Sequence, residues 1–152
     1  MSQVDTNINS QQHFRCLENM YQSAAINDYF LPTMTVSESA SEISMKIDPK
    51  FFHAGQAVHG SVYFKMLDDA AFFAANSLEY DVFVLTTSFT TYLTKPISSG
   101  SMRATGKVVN KNRSQFISES IIYNSKDEEI GRGNGIFVRS KIRLEDVAGY
   151  NL

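Results

Sequence analysis

The sequence predicts an α+β domain in which one long central helix is wrapped by a curved antiparallel sheet of five or six strands. Three observations lead there. Residues 61–75, SVYFKMLDDAAFFAA, are apolar at every position except Ser61, Lys65, Asp68 and Asp69. The apolar side chains surround the helix instead of forming one stripe, and such a helix must be buried on all sides. From Val82 onward the chain turns to β-branched and aromatic runs separated by short polar turns, and strands joined by short links run antiparallel. The 152 residues suffice to bury a core without a metal or disulfide, but leave room for only one domain.

The elements follow in order. Residues 1–11 are polar and read as a flexible, uncapped N-terminus. From Gln12 to about Phe30, the residues Phe14, Leu17, Met20, Tyr21, Ala24 and Ala25 fall at helical spacing and predict an amphipathic helix that ends before Pro32. Between Thr33 and Asp48, Ile43, Met45 and Ile47 alternate with Glu42, Ser44 and Lys46, which predicts one half-buried strand stopped by Pro49. The loop FFHAGQAVHG then leads into the apolar helix. Strands are predicted over Val82–Thr94, Ser101–Asn110, Gln115–Tyr123 and Glu129–Ile142, the last two joined by a turn at 124–127. The Gly131-Arg132-Gly133-Asn134-Gly135 run introduces no helix and lacks a phosphate-loop pattern, so it reads as a bulged strand with close backbone approach. The predicted organisation is a single domain over 12–142, opened by the N-terminal helix and followed by a tail over 143–152.

Charge and composition narrow the function classes. Fourteen basic residues stand against 16 acidic ones, a net of −2, which is not the footprint of a nucleic-acid binder. The single cysteine, Cys16, allows no internal disulfide and suits a reducing compartment. The N-terminus lacks a basic and apolar leader, and the longest strongly apolar stretch, 70–75, is too short to span a bilayer. These features predict a cytoplasmic protein without a membrane partner. His13, His53 and His59 lack the spacing of a metal site, so no metal and no resident cofactor is expected.

Chemistry concentrates at the apolar helix. A buried carboxylate is costly unless it is paired or takes up a proton. Asp69 has a partner four residues earlier in Lys65, whereas Asp68 competes for that cation at a worse spacing. The plainest reading makes Lys65, Asp68 and Asp69 one wetted stripe. Upstream, however, His53, His59, Gly60 and Ser61 bring imidazoles, a hydroxyl and free amides to the helix start, where a developing oxyanion is stabilised. An oxyanion site at one end and a carboxylate in the middle are the parts of a hydrolase acting on an activated acyl group. His59 and Asp68 are nine residues apart, pointing to opposite sides of an ideal helix and about 13 Å apart along it. If they cooperate, the site is shared across a symmetric dimer.

His59-Gly60 followed by Leu67-Asp68 and the small or apolar run 70–77 resembles the hotdog-fold thioesterases, especially the branch related to the phenylacetate-degradation thioesterase. Tyr92 to Pro96 matches that branch's aromatic-x-basic-Pro strand end, and Gly100 its glycine before the next strand. The resemblance covers roughly residues 40–140 and implies a hotdog fold. It also implies hydrolysis of a fatty or aryl acyl-CoA thioester at a dimer-interface site in a homodimer or a dimer of dimers, with coenzyme A entering only as part of the substrate. By position, Asp68 would be the general base or nucleophile, the Gly60 amide would polarise the carbonyl with His59 beside it, and Thr86 would orient the attacking water. His53, Ser61, Asp69, Phe64 and Phe72 would contact substrate. Lys111 and Arg113, among the cations Lys95, Arg103, Lys107 and Arg132, would lie near the nucleotide phosphates.

Three departures from the branch's pattern, His53 for Asn, Ser61 for the second Gly and Asp69 after the acid, also fit a non-catalytic acyl-CoA or fatty-acyl-binding protein with a regulatory role. A dehydratase of hydroxyacyl thioesters would need an acid–base His facing the acid. The acyl group stays open: Phe64, Phe72, Phe73 and Phe89 could floor a pocket for an aryl ring or a fatty chain. Met34, Met45, Met66 and Met102 suit core filling or an acyl tunnel.

Overall fold

The computed structural model describes residues 8–152. Its elements are α1 (Ser10–Ser23), α2 (Asn27–Phe30), β1 (Thr33–Ser37), β2 (Ala40–Lys46), α3 (Gly60–Asn76), β3 (Val82–Leu93), β4 (Ser101–Lys111), β5 (Gln115–Tyr123) and β6 (Glu129–Arg143). The six strands form one sheet in the order β1-β2-β4-β5-β6-β3, with every neighbouring pair antiparallel. This is the hotdog fold: α3 lies in the concave face of the sheet and buries residues around its whole circumference.

The helix can sit so close because of one transverse row of small residues. Ser41, Gly106 and Ser120 are cross-strand partners on β2, β4 and β5. A Cβ at Gly106 would lie 2.1 Å from the Ala70 carbonyl oxygen. On either side, Ser41 Oγ donates to Ala70 O at 2.6 Å and Ser120 Oγ to Leu67 O at 2.8 Å. Buried hydroxyls therefore find acceptors in the helix backbone, and the two carbonyls they grip flank Asp68 and Asp69. The helix end is fixed by Asn76, which is fully buried. Its Oδ1 accepts from the Val84 amide at 3.0 Å and its Nδ2 donates to Glu79 O and Val82 O, each at 3.2 Å. That binds the start of β3 to the end of α3.

Several details differ from the sequence expectations. The flexible N-terminus expected over 1–11 lies outside the described residues for 1–7; from residue 8 on the structure differs. Asn9 caps α1 by accepting from the Gln12 amide at 2.9 Å, and Gln12 Oε1 accepts from the Asn9 amide at 3.0 Å, a capping box. The single helix expected to Phe30 is broken after Ser23, because Asn27 Nδ2 takes the Tyr21 carbonyl at 2.7 Å and opens a separate turn.

The single strand expected over 33–48 is a hairpin. Its turn uses Ser39 at φ 63, and the Ser39 amide donates to Ser77 Oγ at 2.8 Å. No Gly, Pro or Asn marks that turn in the sequence. β3 pairs with β6 and not with the strand that follows it. The link 94–100 is tied to the helix start by Tyr63 Oη donating to Lys95 O at 2.8 Å and Val58 N to Ile97 O at 2.9 Å.

The expected bulge in the glycine run is displaced. Gly131, Gly133 and Gly135 stay in register with β3, and a Cβ at Gly133 or Gly135 would meet the Phe89 ring at 2.5 Å. The register shifts along β6 fall instead at Ile130, at the place opposite Thr87, and between the pairs Val82–Arg143 and Val84–Arg139. The expected tail packs inward: Leu144 is buried, and Tyr150 meets the fully buried His13, whose Nδ1 lies 2.5 Å from the phenolic oxygen. His13 Nε2 holds the Asn76 carbonyl at 2.9 Å, and burial lowers the pKa of the imidazole.

Candidate active site

Asp68 projects from the middle of α3 toward β3. Thr86 Oγ1 donates to Asp68 Oδ1 at 2.9 Å. The cross-strand row Lys111–Phe116–Phe137–Thr86 explains why that hydroxyl faces the helix, since Phe116 and Phe137 in the same row are fully buried. The bulge at Thr87 lies directly beside it, and bulges commonly re-aim a side chain at such sites. Burial pushes the Asp68 carboxyl up to about 6, against the Thr86 hydrogen bond that lowers it; Asp69 adds a smaller upward push and Lys65 a smaller downward one.

Asp69 is not competing for the same role. It pairs with Lys65 and accepts from Tyr21 Oη at 2.8 Å; Lys65 Nζ also donates to Tyr21 Oη at 3.3 Å. The Lys65 ammonium lies 5.0 Å from the centre of the Tyr21 ring and 5.3 Å from that of Phe30, a favourable placement for a largely buried cation. The stripe is therefore divided: Lys65 and Asp69 satisfy each other, and Asp68 is left with a hydroxyl.

Both groups open on a cavity of about 490 Å³. Its walls are mostly apolar, with Met20, Phe72, Phe73, Phe83, Leu85 and Val147 among them, and Asp68, Asp69, Lys65, Thr86 and Asn27 supply polar atoms. Size and lining are those of a small-molecule site. Phe72 and Phe73 are in this lining. Phe64 is not in the cavity lining; it is exposed and stacks edge-on with Phe89, ring centres 5.6 Å apart. Met34, Met45, Met66 and Met102 are in the core.

The helix start forms a separate depression. His59 caps α3: its Nδ1 accepts from the Ser61 amide at 3.0 Å and lies 2.8 Å from Ser61 Oγ. In the neutral ring the proton then sits on Nε2, free to donate. Because the Ser61 amide is taken, Gly60 carries the first-turn amide for which no partner is seen among the described residues. His59 and Ser61 line this depression with Tyr29, Phe30, Lys50 and Phe51. His53 is drawn into its own loop, where Nδ1 accepts from the Gly55 amide at 2.9 Å, and lies outside both linings.

Lys111 and Arg113 sit at the β4–β5 turn, away from both linings. Lys111 Nζ stands 5.8 Å from the Phe116 ring centre, and the Arg113 carbonyl accepts from Arg139 Nη1 at 3.1 Å. Of the other cations, Lys95, Arg103, Lys107 and Arg132 all pair with carboxylates. Among the described residues, no three His, Cys, Asp or Glu side chains come together as a metal site would require, and no helix is long and apolar enough to cross a membrane.

Sequence reasoning missed Tyr21, Asn27 and Asn76. The first two stand on the N-terminal helices, far in sequence from the motif, and no local pattern ties them to it.

Comparison with known proteins agrees with this fold. The profile of the thioesterase superfamily matches residues 55–130, which contain His59, Gly60, Asp68 and Thr86. No curated protein matches the sequence. Among solved structures, the PaaI protein of the Escherichia coli phenylacetic acid degradation operon is similar at a TM-score of 0.80 and 18% identity, over 88% of this chain and 97% of that one. A thioesterase family protein from Silicibacter pomeroyi is similar at 0.71 and 20% identity, over 81% and 96%. A thioesterase from Haemophilus influenzae is similar at 0.70 and 16% identity, over 79% and 85%.

Proposed function

Given that the chain belongs to the thioesterase superfamily, we propose that it hydrolyses an acyl-CoA thioester, with Asp68 as the general base or nucleophile. The observation that carries this reading is the Asp68 carboxyl on the cavity wall, held by Thr86 and titrating near 6. Such a group is ionised at neutral pH yet basic enough to accept a proton from water, the condition for efficient general-base catalysis. Thr86 fixes the carboxylate through Oδ1 and leaves Oδ2 for the attacking water.

The oxyanion donors come from a second subunit in this reading. β3 is one of the two edge strands of the sheet, and Leu85, Tyr92 and Leu93 on it, with Phe64 of α3 against Phe89, expose apolar surface there. Thr86 marks the Asp68 end of β3, while Leu93 marks the Gly60 end, its Cδ1 3.0 Å from where a Gly60 Cβ would stand. Antiparallel pairing of two β3 edges about a two-fold axis near Phe89 sets the Thr86 end of one strand against the Leu93 end of the other. Asp68 of each subunit then faces the helix start of its partner, and two equivalent sites result. There the Gly60 amide and His59 Nε2 stabilise the oxyanion as water adds to the thioester carbonyl. Collapse of that intermediate expels the coenzyme A thiolate, which takes up the proton.

Of the three residues that argued for binding without turnover, His53 lines neither the cavity nor the depression, and the other two do not oppose this. Asp69 is neutralised by Lys65, and Ser61 serves the helix cap. The test is free-thiol release from a panel of short, long and aryl acyl-CoAs, with Asp68→Asn alongside. Turnover that falls by about 10²–10⁴ in the variant supports the assignment. Ligand-induced stabilisation without thiol release from any thioester contradicts it.

A further inference from the structure

One wall of the Asp68 cavity is tied to the rest of the chain by few bonds. Val147 and Ala148 line the cavity and lie outside residues 55–130, the stretch that matches the superfamily profile. They follow the buried Leu144, whose amide donates to Asp81 O at 3.0 Å. Beyond that bond the amides of Val147, Tyr150 and Asn151 donate to Leu144 O, Val147 O and Gly149 O, all within the segment itself. A stretch whose main chain bonds only to itself opens at a lower cost than the sheet it leaves.

Side-chain contacts with α1 hold the segment down. Tyr150 Oη lies 2.5 Å from His13 Nδ1. His13 is fully buried and its Nε2 donates to Asn76 O at 2.9 Å, which in the neutral ring leaves Nδ1 to accept from the phenol. The imidazole is also stacked on Tyr80, ring centres 4.1 Å apart, so it is a fixed catch. Asn19 Nδ2 donates to Asn151 O at 2.7 Å. Gly149, at φ +86, sits so near α1 that a Cβ there would be 2.5 Å from Ser23 Cβ, a place and a conformation that only glycine fills without strain. Ser23 itself lines the cavity, so this close fit lies at the cavity wall.

We propose that residues 147–151 are a strap over the Asp68 cavity, latched by Tyr150 on His13, and that the height of the strap fixes the largest acyl group the site takes. The opposing walls, Phe72, Phe73, Phe83 and Leu85, are built into α3 and β3 and cannot give way without disturbing Asp68 and Thr86. The strap presents two smaller side chains, Val147 packed on the core and Ala148 exposed, so its position rather than its bulk sets the space. This inference rests on the thioesterase reading for its substrates, but not for the strap or its latch.

The experiment measures kcat/KM for straight-chain acyl-CoAs from acetyl to palmitoyl in the parent, Tyr150→Phe, Gly149→Ala and Ala148→Met. Tyr150→Phe removes the latching hydroxyl and keeps the ring, and Gly149→Ala forces the strap off Ser23. Both should extend the accepted series to longer chains, by about fourfold in kcat/KM for each methylene newly accommodated, and leave turnover of the shortest thioesters unchanged. Ala148→Met keeps the latch, adds bulk on the cavity side and should move the cut-off to shorter chains. The change should fall on KM, whereas damage to the fold lowers kcat at every length.

A length profile shared by the parent and all three variants overturns the proposal. So does a uniform loss in the latch variants without a longer cut-off, or an Ala148→Met cut-off that does not shorten. If no thioester is cleaved, the thioesterase reading fails separately, and thermal stabilisation by the free fatty acids of the same lengths decides. A longest stabilising acid that lengthens in the latch variants and shortens in Ala148→Met upholds the strap. An unmoved limit, or no stabilisation by any acid, overturns it.

Discussion

At Asp68 the protein holds a carboxyl between opposing influences: burial favours the protonated form, while the Thr86 hydroxyl favours the ionised one. The consequences have definite signs. A carboxyl raised from its ordinary 3.8 to about 6 retains its proton in the folded state after the unfolded chain has lost it. Folding stability therefore falls as pH rises from about 4 to 6, and the deficit persists above. Asp68→Asn, which keeps an acceptor for Thr86, should be more stable than the parent by about 1–2 kcal/mol at pH 8, an advantage that shrinks toward pH 4; denaturant melts at both pH values check this. For activity the sign reverses, because the proposed base works in its ionised form: kcat/KM should drop on the acid side with an apparent pKa near 6. Thr86→Val removes the hydrogen bond that favours the carboxylate. It should move that limb to higher pH and cost roughly tenfold in rate, with Thr86→Ser restoring both. An unmoved limb in the valine variant would remove Thr86 from the titration.

Among the elements, α3 and β3 do most to place the site, and their meeting depends on two positions. Gly106→Ala would drive a Cβ into the Ala70 carbonyl, a backbone atom that cannot rotate away, so a loss of roughly 2–4 kcal/mol in chemical denaturation is expected. Asn76→Ala would leave the Val84 amide and two carbonyls without their partner. A similar loss should follow, together with reduced turnover, since β3 carries Thr86 to Asp68.

The apolar circumference of α3 and the β-branched runs after Val82 are strong local signals, and the fold class, the helix and four of the strands were legible from them. The hairpin turn at Ser39 was not, because its φ of 63 is stabilised by Ser77 from the far end of α3, a tertiary contact. The Asn9–Gln12 capping box is written in the sequence, but its polar flanks give it the look of an uncapped tail. Lys65 and Asp69 pair as their spacing of four requires, whereas the contribution of Tyr21 and Asn27 to the cavity depends on how α1 packs, which no short-range pattern encodes.

For the whole molecule, the proposed site needs two chains: Asp68 lines one cavity, His59 and Ser61 on either side of Gly60 line a separate depression, and a second copy would bring them together. The most direct test mixes two crippled chains. Gly60→Pro removes the proposed oxyanion amide at a first-turn position where proline is well tolerated, and His59, at φ −61 and ψ 141, already has the extended backbone a following proline demands. Asp68→Asn removes the carboxylate. In a mixed dimer one site carries both lesions and the other carries none, so random assortment of equal amounts should regain about a quarter of the parent's thiol-release activity. Activity no greater than the sum of the two separate variants would place Asp68 and Gly60 in a site within one chain and contradict the shared-site account.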